Sequence, residues 1–205
     1  MKSVLVINSS LNGNSGNSNK AAQKYVDAQW ENEQISVTEV DLNSYGLAHL
    51  GAEEMQAWRT PDAERTPEQH ALARHSDGFI EQLINADEIV LAVPMYNFGI
   101  PSTLKAYFDR IARAGKTFEY SAKGPRGLIK GKKATVLAAR GGKYQGTPMD
   151  TQGPYIKNFL EFIGFTDINF IYIEGLAMGE NSEKAAWEGF DLNLNELFPI
   201  LADYK

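Results

Sequence analysis

A polar loop near the start of the chain carries the first residues that could do chemistry. The loop, Ser9–Asn19, consists of serine, asparagine and glycine around a single leucine, carries no charge, and runs into a predicted helix. Backbone N–H groups at a helix start, together with side-chain hydroxyls, form a site for an anion. The loop lacks the Gly-Lys-Ser/Thr ending of a Walker A motif, and Ser15 stands where a Gly-x-Gly-x-x-Gly motif has its second glycine. We therefore expect a phosphate held mainly by neutral donors, the alternative being a simple turn with a good helix cap.

Two later loops also have the composition of ligand-binding loops. Residues Pro94–Pro101 place bulky apolar and aromatic side chains after an apolar run, where they offer a wall and backbone amides to a flat aromatic ligand. Residues Ala139–Gly146 contain the adjacent glycines Gly141 and Gly142, which let backbone N–H groups approach a ligand closely. A hydrophobic plug under the next helix and a plain glycine turn are the respective alternatives.

Short runs of apolar and β-branched residues predict the strands that position these loops. The runs are Val4–Asn8, Ile35–Leu42, Glu88–Val93, Ala134–Ala139 and Asn169–Glu174. Helical patterns alternate with them: Ser18–Trp30, then helices starting at Thr66, Pro101 and Pro154, and finally Asn181–Leu201. This alternation predicts a single α/β domain over residues 1–205, with three layers and a doubly wound, five-stranded parallel sheet in the order 2-1-3-4-5. The carboxyl ends of its strands would bring the three loops to one crevice.

Helix ends and long connections give further expectations. Thr66 and Gln69 form a predicted capping box, and Gly164 is a natural end for the fourth helix. The connections 43–65 and 115–132 are longer than turns require. Their aromatic residues favour a functional or partner-binding role over a passive surface excursion.

Composition excludes several other classes of function. Acidic residues outnumber basic ones by 26 to 20, and the net charge of −6 argues against nucleic-acid binding. The absence of cysteine rules out disulfides, thiolate catalysis and cysteine metal sites, and it fits a cytoplasmic location. His70 and His75 are not spaced as a zinc pair on a helix. We expect no metal site, no membrane span, and no side chain acting as nucleophile, acid or base.

Several motifs together resemble the FMN-dependent NADH-azoreductases, also called FMN-dependent NADH:quinone oxidoreductases, of the flavodoxin-like fold. The resemblance rests on Ser9-Ser10 with the polar loop behind it, on Pro-Met-Tyr-Asn-Phe at 94–98, and on Arg-Gly-Gly at 140–142. Residues 108–118 and 124–128 also resemble the segment that precedes the fourth strand in that family. The likeness spans nearly the whole chain.

The resemblance implies which residues hold an FMN cofactor, one per subunit. In the family the first loop binds the FMN phosphate, while the second and third loops line the isoalloxazine ring. The implied cofactor-binding residues are Ser10, Gly16, Asn17, Ser18, Pro94, Met95, Tyr96, Asn97, Phe98, Ala139, Arg140, Gly141 and Gly142. The family often has Ser and Gln where Gly16 and Asn17 stand, Ser in place of Ala139, and His in place of Tyr144.

The family is homodimeric, with each active site near the subunit interface. The resemblance therefore implies a pocket for a flat substrate that is walled by aromatic side chains, some of them across the dimer. The candidates are Phe118, Tyr120, Tyr144 and Phe162.

The implied activity is a ping-pong transfer of two electrons from NADH to quinones and aromatic azo compounds, with FMN carrying the chemistry. The residues leave the choice between NADH and NADPH open, and the family favours NADH. A one-electron, flavodoxin-like electron carrier is the alternative, although the long aromatic connections are better suited to enclosing a second planar molecule. A nucleotide-binding regulator without redox chemistry is a third hypothesis.

Overall fold

A five-stranded parallel sheet forms the centre of the protein, which the computed structural model describes over residues 1–199. The strands in chain order are β1 (Lys2–Asn8), β2 (Ile35–Asp41), β3 (Glu88–Pro94), β4 (Phe118–Ser121), β5 (Gly124–Gly127), β6 (Lys133–Arg140) and β7 (Asp167–Glu174). The central sheet has the order β2-β1-β3-β6-β7, and β4 and β5 form a separate antiparallel hairpin. The predicted order 2-1-3-4-5 is confirmed, because the hairpin lies outside the parallel sheet.

Helices cover both faces of this sheet. They are α1 (Asn17–Asn32), α2 (Ala52–Arg59), α3 (Pro67–Asn85), α4 (Ser102–Ile111), α5 (Gln152–Ile163) and α6 (Glu180–Leu197). On one face, α1 and α6 bury residues such as Tyr25 and Phe190. On the other, α3, α4 and α5 bury Phe79, Phe108 and Ile156. Between residues 1 and 199, the helices include none with the length and apolar character needed to traverse a lipid bilayer.

The helix ends follow their local sequence signals closely. The Thr66 hydroxyl accepts from Gln69 N, and the Gln69 side chain accepts from Thr66 N at 3.0 Å, so the predicted capping box is confirmed. Gly164 ends α5 in a left-handed conformation, with φ of 115°. Helix α5 begins at Gln152, ahead of the predicted start at Pro154, because proline fits anywhere in the first turn, where its missing N–H is not needed. Leu201, predicted to end the last helix, lies outside the described residues.

Both long connections contain secondary structure that the sequence analysis did not predict. The first contains α2, which is tied to the body of the protein by an ion pair of 2.7 Å between Glu54 and Arg110, both largely buried. The second contains the β4–β5 hairpin, which packs against the end of α5. A Cβ atom at Gly127 would lie 2.2 Å from the backbone nitrogen of Gly164, so the two backbones are in direct contact.

A buried carboxylate holds the amino-terminal ends of three strands together. Glu88 is fully buried at the start of β3; it accepts hydrogen bonds from Tyr25 and Thr135, each at 2.7 Å, and lies 2.9 Å from Lys2 Nζ and 3.4 Å from Lys133 Nζ. Burial alone would raise the pKa of Glu88. The hydrogen bonds and nearby positive charges outweigh it and lower that pKa to about 2.

Replacing Glu88 with glutamine should lower the free energy of unfolding by about 3 kcal/mol at neutral pH, because two lysines lose a buried partner. The folded-state pKa of Glu88 lies below the usual value of 4.5. The stabilisation by Glu88 is therefore complete above pH 4.5 and declines as the pH falls toward about 2. Urea unfolding measured through this interval should show the difference between the two proteins shrinking.

Glu188→Gln is the matched control, because it removes the same charge from the surface of α6, where Glu188 lies 3.7 Å from Lys184. It should change the free energy of unfolding little. An equal loss of unfolding free energy in both variants would contradict the role of the buried carboxylate. So would a loss in Glu88→Gln that does not change with pH.

Candidate functional site

Hydrogen bonds connect the three predicted ligand-binding loops at the carboxyl edge of the sheet. The N–H of Leu11 in the first loop donates to the Tyr96 hydroxyl in the second at 3.2 Å. The N–H of Met95 in the second loop donates to the carbonyl of Ala139 in the third at 3.0 Å. The structure therefore brings the three loops to one edge of the sheet, where the topology places a crevice.

The first loop presents an array of uncharged donors. Ser10 and Ser18 are buried, and a Cβ atom at Gly16 would lie 2.1 Å from the Ser10 hydroxyl, so the loop closes only around glycine. At the start of α1, the N–H groups of Asn17, Ser18 and Asn19 donate no hydrogen bond to any residue from 1 to 199. With the positive end of the helix dipole behind them, these groups can hold an anion without a formal positive charge.

The second loop contains a strained turn. Asn97 and Phe98 have φ angles of 49° and 65°, in the left-handed region that residues other than glycine adopt only at a cost. Reciprocal backbone hydrogen bonds between Tyr96 and Gly99, of 3.1 and 2.9 Å, close the turn around them. Strain of this kind persists only where the surroundings hold it, and it is common at binding sites.

Two side chains at the start of α5 hold this turn. The Thr151 hydroxyl donates to the carbonyl of Phe98. The carboxamide of Gln152 donates to the carbonyls of Pro94 at 2.9 Å and Gly99 at 3.0 Å. Beside the turn lies a cavity of about 490 Å³, lined by Leu11, Met95, Tyr96, Asn97, Ile100, Pro101 and Ser102.

The side chain of Arg140 does not face this crevice. Its guanidinium is fully buried, pairs with Asp150 at 2.8 Å and Glu174 at 3.1 Å, and donates to Gln152 at 3.1 Å. It also lies over the ring of Tyr172, whose pKa is raised by burial and by the charge of Asp150. Arg140 therefore anchors the loops from behind, and the predicted contact with a cofactor would fall to the backbone of this stretch.

The glycine pair has its carbonyls engaged and its N–H groups free. The carbonyls of Gly141 and Gly142 accept from Ala177 at 2.9 Å and Gly175 at 3.0 Å. Neither glycine N–H donates a hydrogen bond within the described part of the chain. A Cβ atom at Gly142 would lie 2.7 Å from the ring of Tyr144, which explains the absence of a side chain there.

The predicted aromatic substrate pocket is divided between two places. Tyr144 meets Phe98 edge to face at 5.7 Å, beside the strained turn. Phe118 instead contacts Tyr120 at 5.4 Å and Phe162 at 4.5 Å, near the far end of α5. At 1.5 Å per residue, the rise along α5 from its start to Phe162 is roughly 15 Å. Within one subunit, Phe118, Tyr120 and Phe162 are thus separated from the three polar, aromatic and glycine loops.

The sequence analysis missed the side chains that organise the site from behind. Thr151, Gln152, Asp150 and Glu174 make the hydrogen bonds that position all the later loops. The one available signal was polar residues near a predicted helix start and at the end of a predicted strand. Their partners are distant in sequence, so spacing alone could not have identified them.

Comparison with known proteins agrees with this geometry. A family model for the flavodoxin-like fold matches residues 2–195. An FMN-dependent NADH:quinone oxidoreductase of Alteromonas mediterranea is 56% identical over 197 residues, covering 96% of this chain and 98% of the relative. A protein of the same name from Pseudoalteromonas atlantica is 48% identical over 199 residues, covering 97% and 98%.

A solved structure of a known protein has a similar fold. The crystal structure of an azoreductase from Bacillus anthracis superimposes with a TM-score of 0.86 at 26% identity, covering 96% of this chain and 98% of that one. These similarities confirm the resemblance drawn from the loops and give no support to the one-electron carrier. By sequence and by fold, this chain belongs to the family of FMN-dependent NADH:quinone oxidoreductases.

Proposed function

We propose that this protein transfers two electrons from NADH to quinones and aromatic azo compounds, in a ping-pong sequence within one pocket. The observation that carries the proposal is that three loops meet at one edge of the sheet with N–H groups that are unpaired within residues 1–199. The first and second of these loops line a cavity of about 490 Å³ there. The names of the relatives point to the same donor and acceptor classes. The lack of cysteine supports a reducing, cytoplasmic location.

The residues at the crevice fit FMN. Its phosphate is matched by the N–H groups at the start of α1 and by the hydroxyls of Ser10 and Ser18. Its flat ring system is matched by the apolar wall of Met95 and Ile100 and by the free N–H groups of the strained turn. When bound, FMN accepts a hydride from the donor and supplies two electrons to the acceptor.

The side chains of this chain would bind and orient rather than exchange protons. The Tyr96 hydroxyl accepts from Leu11 N, so its contact fixes the phosphate loop relative to the ring wall. Gln152 and Thr151 keep Asn97 and Phe98 in their strained conformation, which sets where the turn's N–H groups point. This fixed arrangement favours a planar ligand in one orientation.

A second copy of the chain would complete the substrate pocket. Tyr120 is 77% exposed, yet it stands with Phe118 and Phe162 in an aromatic cluster far along α5 from its own strained turn. A homodimer in which this cluster faces the partner's flavin places both aromatic groups around one substrate. It also gives the hairpin and the first long connection a role at the interface.

The activity is tested on protein purified with added FMN. The protein should turn yellow, NADH should bleach the flavin directly in a stopped-flow experiment, and a quinone should restore the colour with turnover. Parallel lines in double-reciprocal plots at varied quinone support the ping-pong sequence. A protein that binds no FMN, or a flavin that NADH reduces only with an added reductase, would refute the proposal.

Gly16→Ala should weaken FMN binding at least about tenfold, because the new Cβ would collide with Ser10 and distort the phosphate loop. Gly78→Ala is the control, since a Cβ there meets nothing within 4 Å and alanine favours the helix. Fluorescence titration with FMN measures the affinity, and thermal unfolding of the FMN-free proteins measures the fold. Equal loss of FMN affinity and apoprotein stability in Gly16→Ala would make this glycine merely structural.

Mixing two defective chains tests the shared pocket. Tyr120→Ala should reduce turnover of a quinone without reducing FMN binding, and Gly16→Ala should lose activity by losing FMN. After subunit exchange between the two, about a quarter of the unsubstituted activity should return, because half of the dimers are mixed and each mixed dimer has one intact site. If both groups came from one chain, mixing would restore nothing.

A further inference from the structure

A second large cavity lies away from the proposed flavin loops and is lined by charged side chains of both signs. It measures about 690 Å³ and lies between α3, the end of α2 and the segment after α4. Its lining includes Arg59, Arg65, Arg113 and Lys116 as cations, against Asp62, Asp77 and Glu81 as carboxylates. The lining therefore carries one more cation than it has carboxylates, in a chain whose net charge is −6.

Two of these guanidiniums belong to buried arginines and keep N–H groups that are not paired within the described residues. The side chains of Arg65 and Arg113 are 4% and 5% exposed, and both pair with Asp77. Arg65 Nε donates to the Ala57 carbonyl at 3.0 Å, and Arg113 Nη1 donates to Ser76 at 3.1 Å. The Nη2 group of each arginine makes no hydrogen bond to the rest of residues 1–199. Both Nη2 groups keep contact with solvent, so they are available to donate to an anionic ligand in the cavity.

The charge at the cavity rim also favours an anion. Asp62 and Asp77 are already paired with the buried arginines. Lys116 is exposed and forms no ion pair with any residue in the described range. Glu81 is the remaining carboxylate of the lining, and its single negative charge is outnumbered by the positive charges of Lys116 and Arg59. The free charge of the lining is therefore positive.

This cavity shares part of its lining with a neighbouring cavity that has aromatic walls. Trp58, Arg59 and Arg113 line both it and a neighbouring cavity of about 660 Å³ that also contacts Phe118 and Tyr120. The Arg113 guanidinium lies over the Trp58 ring at 5.6 Å, and the Trp58 indole N–H is buried without a hydrogen-bond partner. A ligand with a flat ring at one end and an anionic group at the other would span the two cavities across Trp58.

We propose that the cavity lined by Arg65, Arg113 and Lys116 binds the pyrophosphate of NADH while the nicotinamide ring occupies the adjoining aromatic cavity. In NADH one ribose separates the ring from the pyrophosphate, which matches two cavities that share a wall. Arginine forms paired hydrogen bonds to phosphoryl oxygens, and lysine adds a point charge. The proposal rests on the proposed function, because the partner's flavin must face the aromatic cavity.

The test uses a donor that lacks the phosphates. Lys116→Glu reverses an exposed charge and spares the buried ion pairs. With FMN-loaded enzyme and a neutral naphthoquinone as acceptor, the KM for NADH should rise about tenfold, since a pyrophosphate contact is lost. The KM for dihydronicotinamide riboside should stay within about twofold of the unsubstituted value, because this donor has no phosphate to bind. Lys184→Glu, with the same charge change on α6 across the sheet, should leave both values unchanged.

Each other outcome has a distinct meaning. An unchanged KM for NADH in Lys116→Glu, or an equal rise for both donors, would overturn the pyrophosphate site while leaving the proposed function intact. A rise confined to a sulfonated naphthoquinone would overturn it too, by showing that the cavity takes the acceptor's anionic group.

If the unsubstituted protein oxidised neither donor, the proposed function would fail, and calorimetry with inorganic pyrophosphate would still decide the site. Binding that Lys116→Glu loses and Lys184→Glu keeps supports it, and no binding to the unsubstituted protein overturns it.

Discussion

A single buried positive charge holds the carboxyl edge of this protein together. The guanidinium of Arg140 lies at the end of β6 with no exposure, and Asp150 and Glu174 balance its charge. Through Gln152 it is connected to the carbonyls of the strained turn, and through Glu174 to the N–H of Tyr144 at 2.8 Å. Removing either partner of a buried ion pair is strongly destabilising. Loss of Arg140 or of one of its carboxylates should therefore destabilise the connected loops together.

The parts of the fold set by local chemistry could be predicted, and the parts set by distant partners could not. The strand order, the Thr66–Gln69 capping box and the end of α5 at Gly164 follow from apolar runs and cap residues. The hairpin β4–β5 escaped prediction because its four-residue strands are short and partly polar, and its position is fixed by a tertiary contact with α5.

The candidate site, too, could be predicted from the sequence only in part. The three loops could be assembled from topology, since strands wound in this order bring their carboxyl ends together. The direction of the Arg140 side chain could not, because a strand alternates its faces but does not reveal which buried acid will meet it. The aromatic residues were predicted to form one substrate pocket, and only the structure shows that Tyr144 and Tyr120 lie at different ends of α5.

The contact between Gly127 and Gly164 has a consequence for how the enzyme can diversify. The hairpin is seated on α5 by main chain against main chain and by the buried Phe118, so its exposed side chains contribute little to keeping it in place. Residues such as Tyr120 and Arg126 can therefore be exchanged without loosening the support beneath them or disturbing the phosphate loop. Under the proposed function, such exchanges would alter the acceptor pocket and leave the flavin-binding loops unchanged.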